Sequence, residues 1–216
     1  MVIQIAGIVI LAYLIGSIPT AVWVGKTFFK LDLRKHGSGN AGATNAIRVF
    51  GWKAGLSVFL FDVFKGWLAV KLADFFFSGT LEGDWMVFLK IGLAAAVVIG
   101  HVFPAFAGFR GGKGVATLLG VGFAIFPITV WIVLGVFVII LLTTGYVSLG
   151  SITGSVIFPF IEIFLMKQDN IYLICLSILV AIFIPITHRK NIKRLLKGEE
   201  SKFRPTRRGN RPQPPV

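Results

Sequence analysis

The sequence predicts an all-α, polytopic membrane protein of about seven transmembrane helices, with its N-terminus outside and its C-terminus in the cytoplasm. Three observations carry this expectation. The 216 residues are 56% hydrophobic, with 21 phenylalanines and a mean hydropathy of +0.84, whereas soluble domains hold roughly 45–50% apolar residues. The apolar runs have the length of a bilayer crossing, roughly 20 residues. The cations are confined to a few connections: of 22 Lys and Arg, ten follow His188 and six lie between Lys26 and Lys53.

In chain order, the first span covers about 2–25, interrupted only by Ser17 and Pro19. It lacks the basic leader of a signal peptide and is long enough to cross a bilayer. The second, 54–77, carries Asp62 and Lys65, three residues apart and able to pair along one helix. The third runs over 85–107. The stretch 114–147 has no charge and is too long for one span and short for two, so Pro127 near its middle marks a tight turn between two short helices. Spans at 149–166 and 171–187 complete the seven. An odd count puts the basic tail on the same side as the basic 26–53 connection, as the positive-inside rule requires; one span over 114–147 would separate them. The connections rich in Gly, Ser and cations then share the cytoplasmic face. A net charge of +13 placed in this way argues for anchoring against anionic membrane lipid rather than for nucleic acid. The membrane domain is 1–203, and 204–216 is a basic, Pro-rich tail expected to be disordered. The single Cys175, in an apolar run, is expected to be a buried small hydrophobe, with no disulfide framework and no CxxC metal site.

Four polar stretches interrupt this apolar plan. The first is Asp32 to Asn45, with Arg34 and Lys35 at its start and Arg48 beyond it. Gly37, Gly39 and Gly42 can take positive φ and let backbone N–H groups converge on an anion, while Ser38, Asn40, Thr44 and Asn45 add uncharged donors. Alone, such a cluster also describes an ordinary loop. The second is Gly108 to Thr117, where Gly111, Gly112 and Gly114 surround Lys113 ahead of a helix whose N-terminus can face an anion. It is not a P-loop, because Ala107 and Gly114 stand where GxxxxGK[ST] needs Gly and a hydroxyl residue, and ATP is not inferred. Lys113 alone also reads as a snorkelling anchor. The third is Thr143 to Ser151, where Ser148 and Ser151 share a helical face; such residues also serve helix packing. The fourth is Thr187 to Glu200: Ile192, Leu195 and Leu196 make an apolar stripe on a cationic interfacial helix, and His188 and Asn191 point to one side. His188 is an interface residue, a phosphate donor or a general base. Glu162 has no assigned role. The scattered histidines, few carboxylates and missing HExxH give no metal site.

Together these stretches resemble the bacterial acyl-phosphate:glycerol-3-phosphate acyltransferase family, the PlsY type. The residues that carry the resemblance are Asp32-Leu-Arg34, Gly37-Ser-Gly-Asn-Ala-Gly-Ala-Thr-Asn45, Gly100-His101, Gly111-Gly-Lys-Gly-Val-Ala-Thr117, Tyr146-Val-Ser-Leu-Gly-Ser151 and His188-Arg-Lys-Asn191-Ile, in that order up to about Phe203. The resemblance implies a seven-helix enzyme of the bacterial cytoplasmic (inner) membrane with its site on the cytoplasmic face. It would move a fatty acyl group from acyl phosphate to the 1-hydroxyl of glycerol 3-phosphate, giving lysophosphatidic acid and phosphate, the first acylation of phospholipid synthesis. By the same resemblance Ser38, Arg48, Lys113, Ser151, His188 and Asn191 match essential polar positions, and Gly37 to Asn45 match a phosphate-holding loop. An upstream enzyme that makes acyl phosphate is an implied partner.

This chemistry suits the residue inventory. Acyl phosphate is already activated, so CoA, ATP and metal are not required, and two phosphate-bearing substrates account for several anion sites. The Ser38 loop and Lys113 are expected to hold the leaving phosphate and steady the carbonyl oxygen. Arg48, His188 and Asn191 are expected to orient glycerol 3-phosphate. No Ser–His–acid triad can be named, which favours direct transfer, with His188 or a substrate phosphate oxygen as base. The HxxxxD signature of another acyltransferase class fails at every histidine, where Ala41, Phe106 and Lys193 replace the Asp. The alternative is a transporter of phosphate or a small anion, which predicts polar groups at the bilayer midplane, often in inverted repeats. No repeat is seen, and the glycines sit at one face.

Overall fold

A computed structural model describes residues 1–203; the expected tail, 204–216, lies outside the described residues. The described chain is helical throughout: α1 (Val2–Gly16), α2 (Thr20–Phe28), α3 (Ala43–Phe50), α4 (Trp52–Phe77), α5 (Gly83–Val102), α6 (Val115–Ile125), α7 (Pro127–Thr144), α8 (Val147–Phe160), α9 (Ile171–Thr187) and α10 (Arg189–Leu196). The first expected span is two helices, α1 and α2, meeting at 43°. Pro19 cannot donate a backbone hydrogen bond, and the helix stops at Ser17. The uncharged stretch divides where Pro127 predicts: α6 ends at Ile125 and Pro127 opens α7 at its first turn, where the missing N–H costs nothing. Gly145, at φ +79°, closes α7. Pro159 lies inside α8, whose end relaxes into a π-turn at Ile161–Leu165. A 63° bend separates α9 from α10.

Among the described residues, three segments are long and apolar enough to cross a membrane unaided: Gly83–Ala107, Pro127–Thr144 and Val147–Leu165; the two bent pairs raise this to five. The expected count of about seven also includes α4, which carries Lys53, Asp62, Lys65, Lys71 and Asp74, and the 11-residue α6.

Small residues bring the helices together. Gly16 of α1 meets the Val97 backbone of α5, Gly100 of α5 meets the Tyr13 carbonyl, Gly66 of α4 meets the Thr117 backbone of α6, and Gly120 meets the Val63 carbonyl. A methyl group at any of these positions would overlap main-chain atoms of the neighbour. Such contacts suit helices in lipid, where close van der Waals packing replaces the hydrophobic drive. The main core is accordingly Ala- and Val-rich, with Ala12, Ala69, Val70, Ala73, Ala94 and Val97 buried where α1, α4 and α5 meet. The outward surface keeps large apolar side chains, including Ile3, Phe75, Trp131 and Leu142. Cys175 departs from expectation: it is exposed on α9, a helix whose outward side chains include Ile171, Leu179 and Ile182. An apolar segment facing lipid has no need to turn its thiol inward.

Gly66→Ala, which forces α4 and α6 apart, is expected to cost about 1–3 kcal/mol of stability. Gly7→Ala, with open space around it, is expected to leave the unfolding midpoint in detergent unchanged. Equal midpoints for the two variants would contradict the packing.

Candidate active site

The first polar stretch folds into a stapled loop between α2 and α3. Asp32 caps a short 3₁₀ turn at Leu33–Lys35, its Oδ1 accepting from the Arg34 backbone N and Nε at 3.0 Å each, while Oδ2 pairs with Arg34 Nη2 at 2.8 Å. The Arg34 hydrogen bonds hold the Asp32 carboxyl down at about 2. Asn45 is the internal staple. Its Oδ1 accepts from the Ser38 N–H at 2.9 Å, and its Nδ2 donates to the carbonyls of Asn40 at 2.9 Å and His36 at 3.0 Å. The buried Asn45 amide is thus occupied within the loop, whereas Gly37, Ser38 and Gly39 lie exposed on its surface. Gly37 (φ +59°) and Gly39 (φ +73°) use the left-handed freedom expected of them. Gly42 does not: it is extended at φ −115° and caps α3, which carries Thr44 and Arg48.

The second stretch turns back on the end of α5. After a 3₁₀ turn at Ala105–Ala107, the N–H groups of Gly111 and Gly112 donate to the carbonyls of Val102 (3.1 Å) and His101 (3.2 Å), filling acceptors that the end of a helix leaves open. A methyl on Gly111 would overlap the His101 carbonyl, and one on Gly112 would overlap His101 Nε2. Gly114, at φ +83°, caps α6. Arg34 Nη1 donates to the Ala107 carbonyl at 2.6 Å, so the two loops are tied to each other.

Lys113, Asn191 and Glu200 form the polar centre. Lys113 Nζ donates to Asn191 Oδ1. Asn191 Nδ2 donates to Glu200 Oε1 at 2.6 Å, Ser148 Oγ donates to the same oxygen at 2.8 Å, and Arg194 Nε pairs with Glu200 Oε2 at 2.6 Å. Glu200 rides on a strap after α10 that returns to the end of α7. There Phe203 N–H donates to the Gly145 carbonyl at 2.7 Å, Lys202 Nζ lies 5.7 Å from the Tyr146 ring centre, and Phe203 meets Trp52 edge-on. Burial pushes Lys113 down to about 8; Glu200 opposes this, and the positive charges of Arg194 and Arg48 add to it. At the α9–α10 bend, His188 Nδ1 is 2.9 Å from the Ile184 carbonyl. A carbonyl only accepts, so Nδ1 carries the proton in the neutral ring and Nε2 keeps its lone pair.

An apolar cavity of about 140 Å³ lies alongside, with Ser151 and Ile184 in its wall and Val130, Phe126 and Phe158 lining it further along. Ser151 Oγ donates within α8 to the Val147 carbonyl at 2.9 Å. Of the expected site residues, the fold gathers Arg48, Lys113, His188 and Asn191 around one centre. Ser151 stands at the cavity wall, and the loop bearing Ser38 and Asn40, with Thr44 in the first turn of α3 behind it, joins through Arg34. Glu200 was not foreseen as a site residue. Its signal was available: Glu199 and Glu200 are the only carboxylates after His188.

Comparison with known proteins decides what this arrangement belongs to. A family model described as glycerol-3-phosphate acyltransferase matches residues 6–198. The chain belongs to the glycerol-3-phosphate acyltransferase family. A glycerol-3-phosphate acyltransferase of Fusobacterium nucleatum is 41% identical over 196 residues, spanning 91% of this chain and 96% of the relative. The fold is similar to that of PlsY (YgiH), an integral membrane glycerol 3-phosphate acyltransferase. Its glycerol 3-phosphate form matches with a TM-score of 0.82 at 37% identity, covering 93% of this chain and 96% of that one. The lysophosphatidic acid form matches at 0.79 and 36% identity over the same shares. The acyltransferase is therefore an integral membrane protein, and the transporter alternative falls away.

In the free acyltransferase, Lys113 is expected to lose its proton near pH 8 rather than near the ordinary 10.5. Glu200→Gln removes the one opposing charge and moves the titration lower still. Isotope-labelled lysine followed by NMR in micelles reads both, and a Lys113 titrating at the ordinary value would contradict the buried position of Nζ.

Proposed function

We propose that the acyltransferase takes its acyl group from acyl phosphate and places it on the 1-hydroxyl of sn-glycerol 3-phosphate, giving lysophosphatidic acid and inorganic phosphate. The observation that carries this is the meeting of a cation-rich, glycine-lined polar centre with an apolar cavity at Ser151. Both proposed substrates carry phosphate, and the donor and product also carry an acyl chain; a centre with Lys113, Arg48 and Arg194 around a single carboxylate suits the first, and the cavity suits the second. The relative solved in glycerol 3-phosphate and lysophosphatidic acid forms supports the same acceptor and product.

In this reading the exposed Ser38 side chain and the Lys113 ammonium hold the donor phosphate, since the Gly111 and Gly112 N–H groups are already taken by the end of α5. Arg48 and Asn191 orient glycerol 3-phosphate. The 1-hydroxyl oxygen bonds to the acyl carbonyl carbon, the bond from that carbon to the phosphate oxygen breaks, and phosphate leaves with the electron pair. The hydroxyl proton passes to His188 Nε2, the free acceptor that the Ile184 carbonyl leaves on the ring. Lys113 offsets the negative charge that grows on the carbonyl oxygen and the leaving phosphate. The site occupies the cytoplasmic face of the bacterial inner membrane, the N-terminus lies outside, and seven spans include α4 and α6. The donor is supplied by an enzyme that forms acyl phosphate.

Purified protein with acyl phosphate and glycerol 3-phosphate is expected to release phosphate and form lysophosphatidic acid without CoA, measured by phosphate release and mass spectrometry. Turnover with acyl-CoA alone would overturn the donor assignment. Lys113→Ala is expected to lower kcat/KM by about 10²–10³-fold in a folded protein. The wild-type kcat/KM is expected to fall as pH rises through about 8, because this quantity reports ionisations of the free enzyme and deprotonated Lys113 carries no charge.

A further inference from the structure

The chemistry above leaves the charged residues of α4 unused. Asp62 and Lys65 are each 2% exposed and pair at 2.8 Å, on a helix face otherwise made of Gly55, Val58, Gly66, Ala69, Val70, Ala73 and Phe77. A buried pair of this kind is often replaceable by apolar residues with no loss of stability, so packing alone does not account for it. Its partners lie at the roots of both polar loops.

On one side, Asp62 Oδ1 accepts from Thr20 Oγ1 at 3.1 Å, and Lys65 Nζ donates to the Ile18 carbonyl at 3.0 Å. These residues form the break between α1 and α2, and α2 leads directly into the Asp32–Asn45 loop. On the other side, Asp62 Oδ1 lies 3.8 Å from His101 Nδ1. The opposite ring nitrogen, Nε2, lies against Gly112, so closely that no side chain fits there. The His101 carbonyl holds the Gly112 N–H at 3.2 Å, and Lys113 is the next residue. A single buried carboxylate therefore stands behind the entry to the first loop and, through one imidazole ring, behind the second.

We infer that Asp62, Lys65 and His101 form a positioning unit that sets the spacing of the two anion-holding loops and the placement of Lys113. None of the three touches substrate in this role. Lys65 pairs with Asp62 and fixes its place; Asp62 anchors Thr20 and faces His101 Nδ1; the ring props the Gly112 backbone from below. The geometry also explains why Gly112 must be glycine although its φ is not left-handed: the space for a side chain is taken by the ring.

The test is equilibrium binding of glycerol 3-phosphate by calorimetry in detergent, alongside the unfolding midpoint. His101→Leu keeps an apolar side chain of similar bulk but removes the ring. It is expected to weaken glycerol 3-phosphate binding at least about tenfold with little change in the midpoint. His101→Gln, which carries an amide near the place of Nε2, is expected to recover most of that loss. A folded His101→Leu protein with wild-type affinity overturns the inference, as does a Gln variant no better than Leu. Should His101→Leu fail to fold, the paired change Asp62→Asn with Lys65→Met removes both charges together and carries the same expected weakening. Wild-type affinity in that double variant overturns the inference equally. Because binding of glycerol 3-phosphate is measured directly, the result stands apart from the identity of the acyl donor: a wild-type enzyme inactive with acyl phosphate would sink the donor assignment and leave this measurement intact.

Discussion

Close approach of backbone to backbone, made possible by glycine, is the constraint on which the rest of this structure depends. Gly16 against Val97 and Gly100 against Tyr13 bind α1 to α5, and Gly66 against Thr117 and Gly120 against Val63 bind α4 to α6. The same device continues beyond the helices. Gly111 and Gly112 lie on the end of α5 as closely as the helices lie on one another. The loop before Lys113 is therefore an extension of the helix packing rather than an appendage to it. Its N–H groups at 111 and 112 are spent on the helix end, which fixes the chain on either side of Lys113 and leaves the ammonium as the reaching group.

Electrostatics is arranged on top of that frame. Arg48, Lys113 and Arg194 are held near one another, and one carboxylate, Glu200, answers them. Burial is the main cause that lowers the pKa of Lys113, and the neighbouring charges of Arg194 and Arg48 add to it. Glu200 works against that shift at Lys113. It also fixes Asn191 through Nδ2, which orients Oδ1 toward Lys113 and defines the direction of the ammonium.

The helical plan and the four polar stretches were legible in the sequence because they depend on local properties: length of apolar run, Pro127, the glycines, and the placement of cations. Where the reading stopped, the missing information was tertiary. Asn45 resembles a ligand donor in sequence, but its amide closes the loop around itself, and only the fold shows which acceptors lie within reach. Gly42 was expected in the left-handed region and is extended, since its place is fixed by capping α3. Gly112 was expected for close approach to a ligand, and the group it approaches is His101. Glu200 lies nine residues beyond Asn191 and meets it only because the strap turns back to Gly145. Asp62 and Lys65 were legible as a pair, whereas their reach to Thr20, Ile18 and His101 requires three helices to be placed first.

The proposed function asks the candidate site to reconcile two substrates of opposite solubility. A phosphate ester of glycerol is a solute of water, and a fatty acyl chain is a solute of the bilayer; a protein that joins them needs polar and apolar compartments that share one wall. Here that wall is the start of α8. Ser148 faces the Glu200 centre, and Ser151, one turn on, lines the apolar cavity. Ser151 bonds back to its own helix at Val147, so the cavity presents almost no competing donor to an acyl chain. Across the cavity wall, Ile184 supplies apolar surface through its side chain and holds His188 Nδ1 through its carbonyl. One residue on α9 thereby shapes the apolar compartment and sets the tautomer of the ring beside the polar one. The proton acceptor proposed for the reaction is thus placed by the element that borders the proposed acyl compartment.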